Sequence, residues 1–497
     1  MDNINAKHPN GMWYLGCISG LFCFSVGTIF SLLILYLTQQ LHMTEKTAYS
    51  IFAAFMAVMY TLPLLGGYIG GQFGYKKSIS FSVLLMITGL LFLQHTTVST
   101  LYIGLGLFAL GYGFYLPNIY LLLGKQYAAD SGKRDSGFTL FYALYNSGYL
   151  CSFVLGGYLQ ADYGFHLSFM IAMVPLIIAF LSFPLYLWPM QAHSSQSYVP
   201  LAKVSTLISW LIIIGVSILG GGLCFVIMSY ADISKYLILA LVISTILGIL
   251  YLALKQQEKT QTYKLFVYII LAVISIGFWA LYMLEPSLLT LFIKHNVARV
   301  VWGHVIPPST FIGLNPLFTI SLGALYGMLW LRLAQKGKDL SVPAKFSISL
   351  FSMCLGFFVL YLATIITGNG MKVSFWWMFL VYFFLSTAEL LISPIGQSAV
   401  GRLAPKKYEG FLMGAWQVFI GASASLSGLM ASFAAIPKHT SLGKSDHIYG
   451  HNFLHIALMT LLVAAISVLL VPFLKRAMYP KSDSYREIKA DPALAGG

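Results

Sequence analysis

Stretches of 20 to 28 mostly apolar residues recur along this 497-residue chain. A helix rises about 1.5 Å per residue, so each stretch is long enough to cross roughly 30 Å of hydrocarbon. Bilayer hydrocarbon offers no water to backbone N–H and C=O groups, so such a segment must be a helix that satisfies them internally. Hydrophobic residues make up 58% of the chain and charged residues only 9%, with a mean hydropathy of +0.81, which excludes a soluble globular domain. Spans are expected near 12–38, 46–73, 78–95, 100–124, 138–160 and 165–188, then 205–228 and 233–254. Six more are expected near 265–293, 310–334, 344–368, 373–400, 409–436 and 452–474, fourteen in all, making an all-α membrane protein. The first apolar segment is too long for a signal-peptide core and is expected to remain as the first helix.

The formal net charge of +14 invites a nucleic-acid reading, but the basic residues sort by side of the membrane. With the N-terminus inside, Lys46, Lys235, Lys294, Arg299, Lys372, Lys438 and Lys444 fall outside, leaving 22 of the 29 Lys and Arg on the inner side. The excess charge is therefore a topology signal, with no nucleic-acid partner expected. It predicts a multi-pass protein of the cytoplasmic (inner) membrane with both termini in the cytoplasm. Five cysteines, Cys17, Cys23, Cys151, Cys224 and Cys354, lie inside apolar spans at unrelated spacings and read as small buried hydrophobes.

Two hydrophilic breaks, 191–203 and 255–264, bracket one helix pair, and removing that pair leaves six helices on either side. The expected organisation is a six-helix bundle at 1–190, a linker with two inserted helices at 191–264, a second six-helix bundle at 265–476 and a tail at 477–497. Gly66-Gly67-Tyr68-Ile69-Gly70-Gly71, leading to Lys76 and Lys77, has a weak counterpart in Gly323-Ala324-Leu325-Tyr326-Gly327, leading to Arg332, Lys336 and Lys338. This glycine-then-basic punctuation resembles the major facilitator signature. In that fold two bundles form parallel repeats, with the solute held between them near mid-membrane. The inserted pair carries no Asp, Glu, His or Arg between Ser205 and Met228 or between Ile233 and Leu254, as suits a lipid-facing scaffold.

A charged side chain at the centre of a spanning helix costs about 2.5 to 3.5 kcal/mol on insertion scales, so a carboxylate there is a functional candidate. Only Glu285 and Glu389 qualify. Tyr382, Ser386, Glu389 and Ser393 share one helical stripe, followed by Pro394, which would free a carbonyl one turn back. Glu389 and Ser393 of this stripe are candidate solute contacts. Glu285 precedes Pro286 and shares a face with Phe278, Tyr282 and Leu289. An acid with no cation in sight is costly to ionise there, which suits a group that takes up and releases protons; local solvation at the mouth of a kinked helix is the alternative. The polar residues of the first half are neutral: Tyr60, Asn118, and the face made by Thr139, Tyr142, Asn146 and Tyr149. Asn315 adds an amide to the second half, and function and helix packing both remain open for these amides. His447, His451 and His455 recur at four-residue spacing, compatible with a metal ion or with plain solvation; no metal site is assigned to them.

Several passages together resemble the proton-dependent oligopeptide transporter family. They are Arg134-Asp135-Ser136-Gly137-Phe138-Thr139-Leu140-Phe141-Tyr142 with Asn146, Pro63-Leu64-Leu65-Gly66-Gly67, and Gly113-Phe114-Tyr115-Leu116-Pro117-Asn118. Phe278-Trp279-Ala280-Leu281, Leu314-Asn315-Pro316-Leu317-Phe318, Ala388-Glu389-Leu390 and Met413-Gly414-Ala415-Trp416 continue the match in the second half. The resemblance implies a major facilitator fold with two inserted helices. It also implies that a peptide's amino terminus is held by Glu389, Asn146 and Asn315, with Tyr60, Trp279 and Trp416 as aromatic pocket walls. The departures fall on charges. The first-helix passage that carries two glutamates and an arginine in the family reads Ser19-Gly20-Leu21-Phe22-Cys23-Phe24, the fourth-helix lysine is Leu116, and the acid of the facilitator loop is Gly71. Acids and bases are lost together, as suits a rewired site, since either alone would be left buried and unpaired.

The resemblance thus implies a secondary active transporter that takes up di- or tripeptides or a peptide-like amine by alternating access, with protons as co-substrate and the proton gradient as energy source. Glu389 and Glu285 are the candidate proton-coupling groups. No cofactor and no enzymatic chemistry are expected, the bilayer is the surrounding partner, and a monomer is expected. Alternatives are a uniporter or exporter of a cationic or weakly polar small molecule, and a non-transporting receptor-like homologue.

Overall fold

The computed structural model describes residues 8–127, 133–191, 204–336, 340–367, 370–405, 408–437 and 440–478. Lys7, Lys203, Lys338, Lys406, Lys407, Lys438 and the tail from 479, all used above to read the topology, lie outside the described residues. The first half holds α1 (Asn10–Leu35), α2 (Glu45–Thr61), α3 (Pro63–Phe73), α4 (Tyr75–Phe92), α5 (Val98–Gly124) and α6 (Lys133–Ser182). Next come α7 (Thr206–Ser229) and α8 (Ala231–Leu254). The second half holds α9 (Lys259–Tyr282), α10 (Thr290–Asn296), α11 (Leu314–Gln335), α12 (Val342–Thr367), α13 (Trp376–Leu403), α14 (Glu409–Ser432) and α15 (Leu442–Met478).

Among the described residues 13 helical stretches are long and apolar enough to cross a bilayer. One of them, Gly137–Leu187, is 51 residues long, about twice what one crossing needs. Gly164 has φ of 82° inside it, a left-handed conformation that only glycine adopts at little cost, and it divides α6 into two crossings. That restores the expected fourteen and returns both termini to one side, called the near side below. At the other ends of the helices, Thr44, Thr97 and Ser205 cap α2, α5 and α7 by accepting the N–H groups of Thr47, Thr100 and Ile208. Such caps satisfy donors that the helix itself leaves open.

Each half is a bundle held by close backbone approach, since helices surrounded by lipid associate through packing more than through a hydrophobic force. In the first half α1 lies along α6, and a Cβ added at Gly148 would collide with the carbonyl of Gly20. In the second half α12 packs on α13 and α15. Ser349 donates to the carbonyl of Ala388 at 2.7 Å, Ser352 to that of Phe384 at 2.7 Å, and Ser347 pairs with Ser467 at 2.7 Å. The inserted helices stand outside both bundles: α7 lies against α5, and α8 against α9 and α14. Leu219 and Leu254, among the most exposed of their side chains, face where lipid would be.

The halves meet along α2 and α14, reaching Gly414 against Leu64 toward the near side, and again at the far side through α6. α2 packs on α14, where a Cβ at Gly428 would meet that of Ala53, and the outer part of α6 reaches the short 3-10 turn Pro308–Gly313 before α11. Glu45 at the start of α2 fastens this contact, accepting the backbone N–H of Ile436 at 2.8 Å and pairing with the His295 ring at 3.2 Å.

The contact between α1 and α6 predicts that Gly148→Val forces the two helices apart. A stability loss of about 1–3 kcal/mol is expected for such overpacking. It should appear as a lower unfolding temperature of the purified protein in detergent, with Gly222→Ala, whose Cβ would meet open space, as the unchanged comparison.

Candidate functional site

Glu285 follows the last turn of α9, in a π-helical turn spanning Glu285–Leu289. Pro286 lacks an N–H and cannot continue the α-helical ladder, and the wider turn absorbs the break. Two hydroxyls take up carbonyls there: Ser287 donates to Met283 at 2.9 Å and Thr290 to Glu285 at 3.1 Å. The distortion turns the Glu285 side chain inward, where it is only 2% exposed.

Glu389 reaches the same place from α13 and is 6% exposed. Asn315, in the first turn of α11 and 5% exposed, stands between the two acids. Its amide donates to Glu285 Oε1 at 3.5 Å and stands close to Glu389. Thr319, one turn further along α11, donates to Glu389 Oε2 at 3.3 Å. Ser386 donates to the Asn315 backbone carbonyl at 3.2 Å and so fixes α13 against α11. Two buried carboxyl groups therefore flank one amide.

Tyrosine hydroxyls surround this pair. Those of Tyr142 on α6 and Tyr282 on α9 lie within hydrogen-bonding reach of Glu389, and Tyr60 on α2 is near enough to feel its charge. Tyr382, wholly buried beside Glu285, has a hydroxyl without a hydrogen-bond partner among the described residues. No lysine or arginine joins the group: every Lys and Arg in the described helices falls in the first two or last two turns of its span.

The residues singled out from sequence fall into three groups. Glu389, Glu285 and Asn315 converge directly. Asn146, Tyr60 and Trp279 lie one contact away. Asn146 donates to the backbone carbonyl of Tyr142 at 2.9 Å, Tyr60 meets Tyr112 edge-on at 6.2 Å, and Trp279 packs at 5.3 Å against Tyr282. Ser393 is a turn nearer the near side on the same stripe and half-buried. Trp416 is buried among Tyr268, Phe346 and Gly396 and is not brought to the carboxyl pair by any of these contacts.

Asn118 resolves as a packing group, donating to Gly66 O at 2.9 Å, Ser78 Oγ at 3.0 Å and Phe114 O at 2.7 Å, which ties α5 to α3 and α4. His447, His451 and His455 form an exposed row of ring contacts along α15, and no group arranged to hold a metal occurs among the described residues. The sequence reading missed Thr319, Tyr112 and Tyr145. Thr319 lies one turn after Asn315 on the same helix, the one signal that would have found it.

A bundle pair enclosing a buried polar site, with helices that distort at that site, defines a secondary transporter of the major facilitator type. The sequence profile of the POT family matches residues 76–448, three quarters of the chain, and the chain belongs to that family. Dipeptide and tripeptide permease B of Aliivibrio fischeri is 30% identical over 472 residues, 93% of each chain. Dipeptide and tripeptide permease A of Proteus mirabilis is 28% identical over 493 residues, covering 95% of this chain and 97% of its own. The fold matches the tetrameric PepTSo2 crystal structure with a TM-score of 0.81 at 24% identity, over 94% of this chain and 98% of that one. It also matches a peptide transporter POT crystallised with sulfate, with a TM-score of 0.82 at 23% identity, over 96% and 97%. The chain is thus a multi-pass membrane protein of a transporter family.

Because the Asn315 amide donates to Glu285 and stands beside Glu389, Asn315→Leu should leave Glu285 short of a donor and put an apolar group against both acids. Solute binding is expected to weaken at least about tenfold, as for other truncated partners of a buried charged group. Titrating the unfolding temperature of wild type and variant with ligand measures this.

Proposed function

We propose that the protein imports short peptides or peptide-like amines together with protons, by alternating access across the cytoplasmic membrane. The observation that carries this is the pair of buried carboxyls, Glu285 and Glu389, flanking Asn315 with no cation beside them among the described residues. A carboxylate in such surroundings needs a positive partner, and either a proton or the ammonium of a solute supplies it. One carboxyl cannot take both at once. Glu389, reached from both halves through Tyr142 and Tyr282, is assigned to the solute's ammonium, and Glu285 to the proton that balances it. The names of the permease relatives support short peptides as the solute class.

Alternation follows from how the halves meet. The far-side contact of α2 with α14, fastened by Glu45, closes the site on that side, and opening it while closing the near side would expose Glu389 to the other solution. The excess of Lys and Arg in near-side loops supports placing both termini in the cytoplasm, which makes the far side the periplasmic or external one. An inward proton gradient would then drive uptake.

Labelled dipeptide uptake into liposomes, with and without an inward proton gradient, tests the reading. Gradient-stimulated uptake is expected for the wild type. Glu389→Gln should lower uptake at least about tenfold, in line with losing one member of a buried charge pair. Glu285→Gln should remove the gradient's effect while leaving exchange of solute between the two sides. Unchanged pH dependence in both variants would rule out the assignment.

A further inference from the structure

We propose that the central site takes an amine-bearing solute whose far end carries no free carboxylate, such as a C-terminally amidated dipeptide, in preference to the free-acid dipeptide. This rests on the reading of Glu389 and Glu285 as the seat of the solute's ammonium.

The second half offers two acids, one amide and the Thr319 hydroxyl, which together receive a cation. Facing them, the described residues of the first half offer neutral groups. Tyr60 and Tyr112 meet edge-on at 6.2 Å, the hydroxyls of Tyr145 and Tyr149 lie 3.4 Å apart, and the Cys23 thiol sits within hydrogen-bonding reach of both. These hydroxyls suit a neutral carbonyl, which asks for one or two donors. A carboxylate asks for a counter-charge, and every Lys and Arg of the described helices is confined to their end turns. A free-acid peptide would therefore bury its terminal charge unpaired and close to two acids of the same sign.

The neutrality of the first half is built into its packing. At Gly20 the α1 backbone is pressed against Gly148 of α6, so closely that a Cβ on Gly148 would strike the Gly20 carbonyl. A Cβ on Gly20 would in turn lie 3.1 Å from the carbonyl of Leu144. Phe22, two residues on, stacks on Tyr115 with ring centroids 3.6 Å apart and on Tyr112 at 6.0 Å. At Gly20 a side chain would press α1 off α6, and the neighbouring Phe22 is occupied by its stacking on Tyr112 and Tyr115.

The test compares alanyl-alanine with alanyl-alaninamide on the purified full-length protein, at slightly acidic pH, by thermal stabilisation and by competition against uptake. The amide is expected to half-saturate at a concentration at least about tenfold lower, because only the free acid carries an unanswered charge into the site. Equal or stronger binding of the free acid overturns the preference and leaves the peptide reading standing. Binding of neither overturns both. In Glu389→Gln, which keeps the side-chain volume, the amide and the free acid should both bind at least about tenfold more weakly; unchanged binding of the amide there would show that the amine sits elsewhere and overturn the proposal.

Discussion

Two buried carboxyl groups that flank one amide, with no cation to answer them among the described residues, constrain everything around them. Ionised acids in a low-dielectric interior are costly unless paired, and here the pairing has to come from outside the protein, as a proton or a solute. The local fold is shaped to hold this arrangement. Pro286 and the π-helical turn after α9 bring Glu285 inward, Thr290 and Ser287 satisfy the carbonyls the turn disturbs, and Ser386 locks the Asn315 backbone beside Glu389. The three hydroxyls are used on backbone carbonyls and not on the carboxyls.

The asymmetry between halves follows from the same constraint. With its deep acids in the turn after α9 and on α13, the second half carries the ionic chemistry, while the first half supplies a tyrosine wall and a close contact between α1 and α6. Tyr142 is the link across the two. Its hydroxyl reaches Glu389 and its backbone carbonyl accepts from Asn146, so a movement of α6 relative to α13 alters the donors available to the acid. Changing those donors changes how readily Glu389 holds a proton or an ammonium, which is the physical requirement for coupling a tilt of one bundle to solute exchange.

Much of this was legible in the sequence, for identifiable reasons. Span length and composition fixed the crossings, because the hydrocarbon thickness leaves few alternatives. The stripe Tyr382, Ser386, Glu389 was readable because helical periodicity holds in any helix, and the structure shows it facing α11. What periodicity does not contain is the crossing between helices. Thr319 matters only because α11 meets α13 at that height, and Tyr112 and Tyr145 matter only because α1, α5 and α6 converge on Cys23. Asn118 and Asn315 looked equivalent as amides beside prolines. Burial against Gly66, Ser78 and Phe114 makes one a tie between helices, and proximity to two acids makes the other part of the site. The double crossing of α6 was expected from the two apolar spans 138–160 and 165–188, and the positive φ at Gly164 is the backbone device that makes it.

The far-side closure shows why a site of this kind can still alternate. Between the halves, glycines lie close against small side chains, as at Gly428 with Ala53 and Gly157 with Thr310, and these pack well in one arrangement without forming bonds that must be broken to leave it. Glu45 adds one charged latch, and its two partners, His295 and the Ile436 N–H, both belong to the second half. A latch of two hydrogen bonds at a partly solvated edge is worth only a modest free energy, on the order of 1–3 kcal/mol. That is comparable to what a bound ammonium or proton at the buried carboxyl pair contributes differently to two conformations. The balance between the closed and open far side is therefore within reach of what binds at Glu389 and Glu285, and a stronger set of ionic ties between the halves would have put it out of reach.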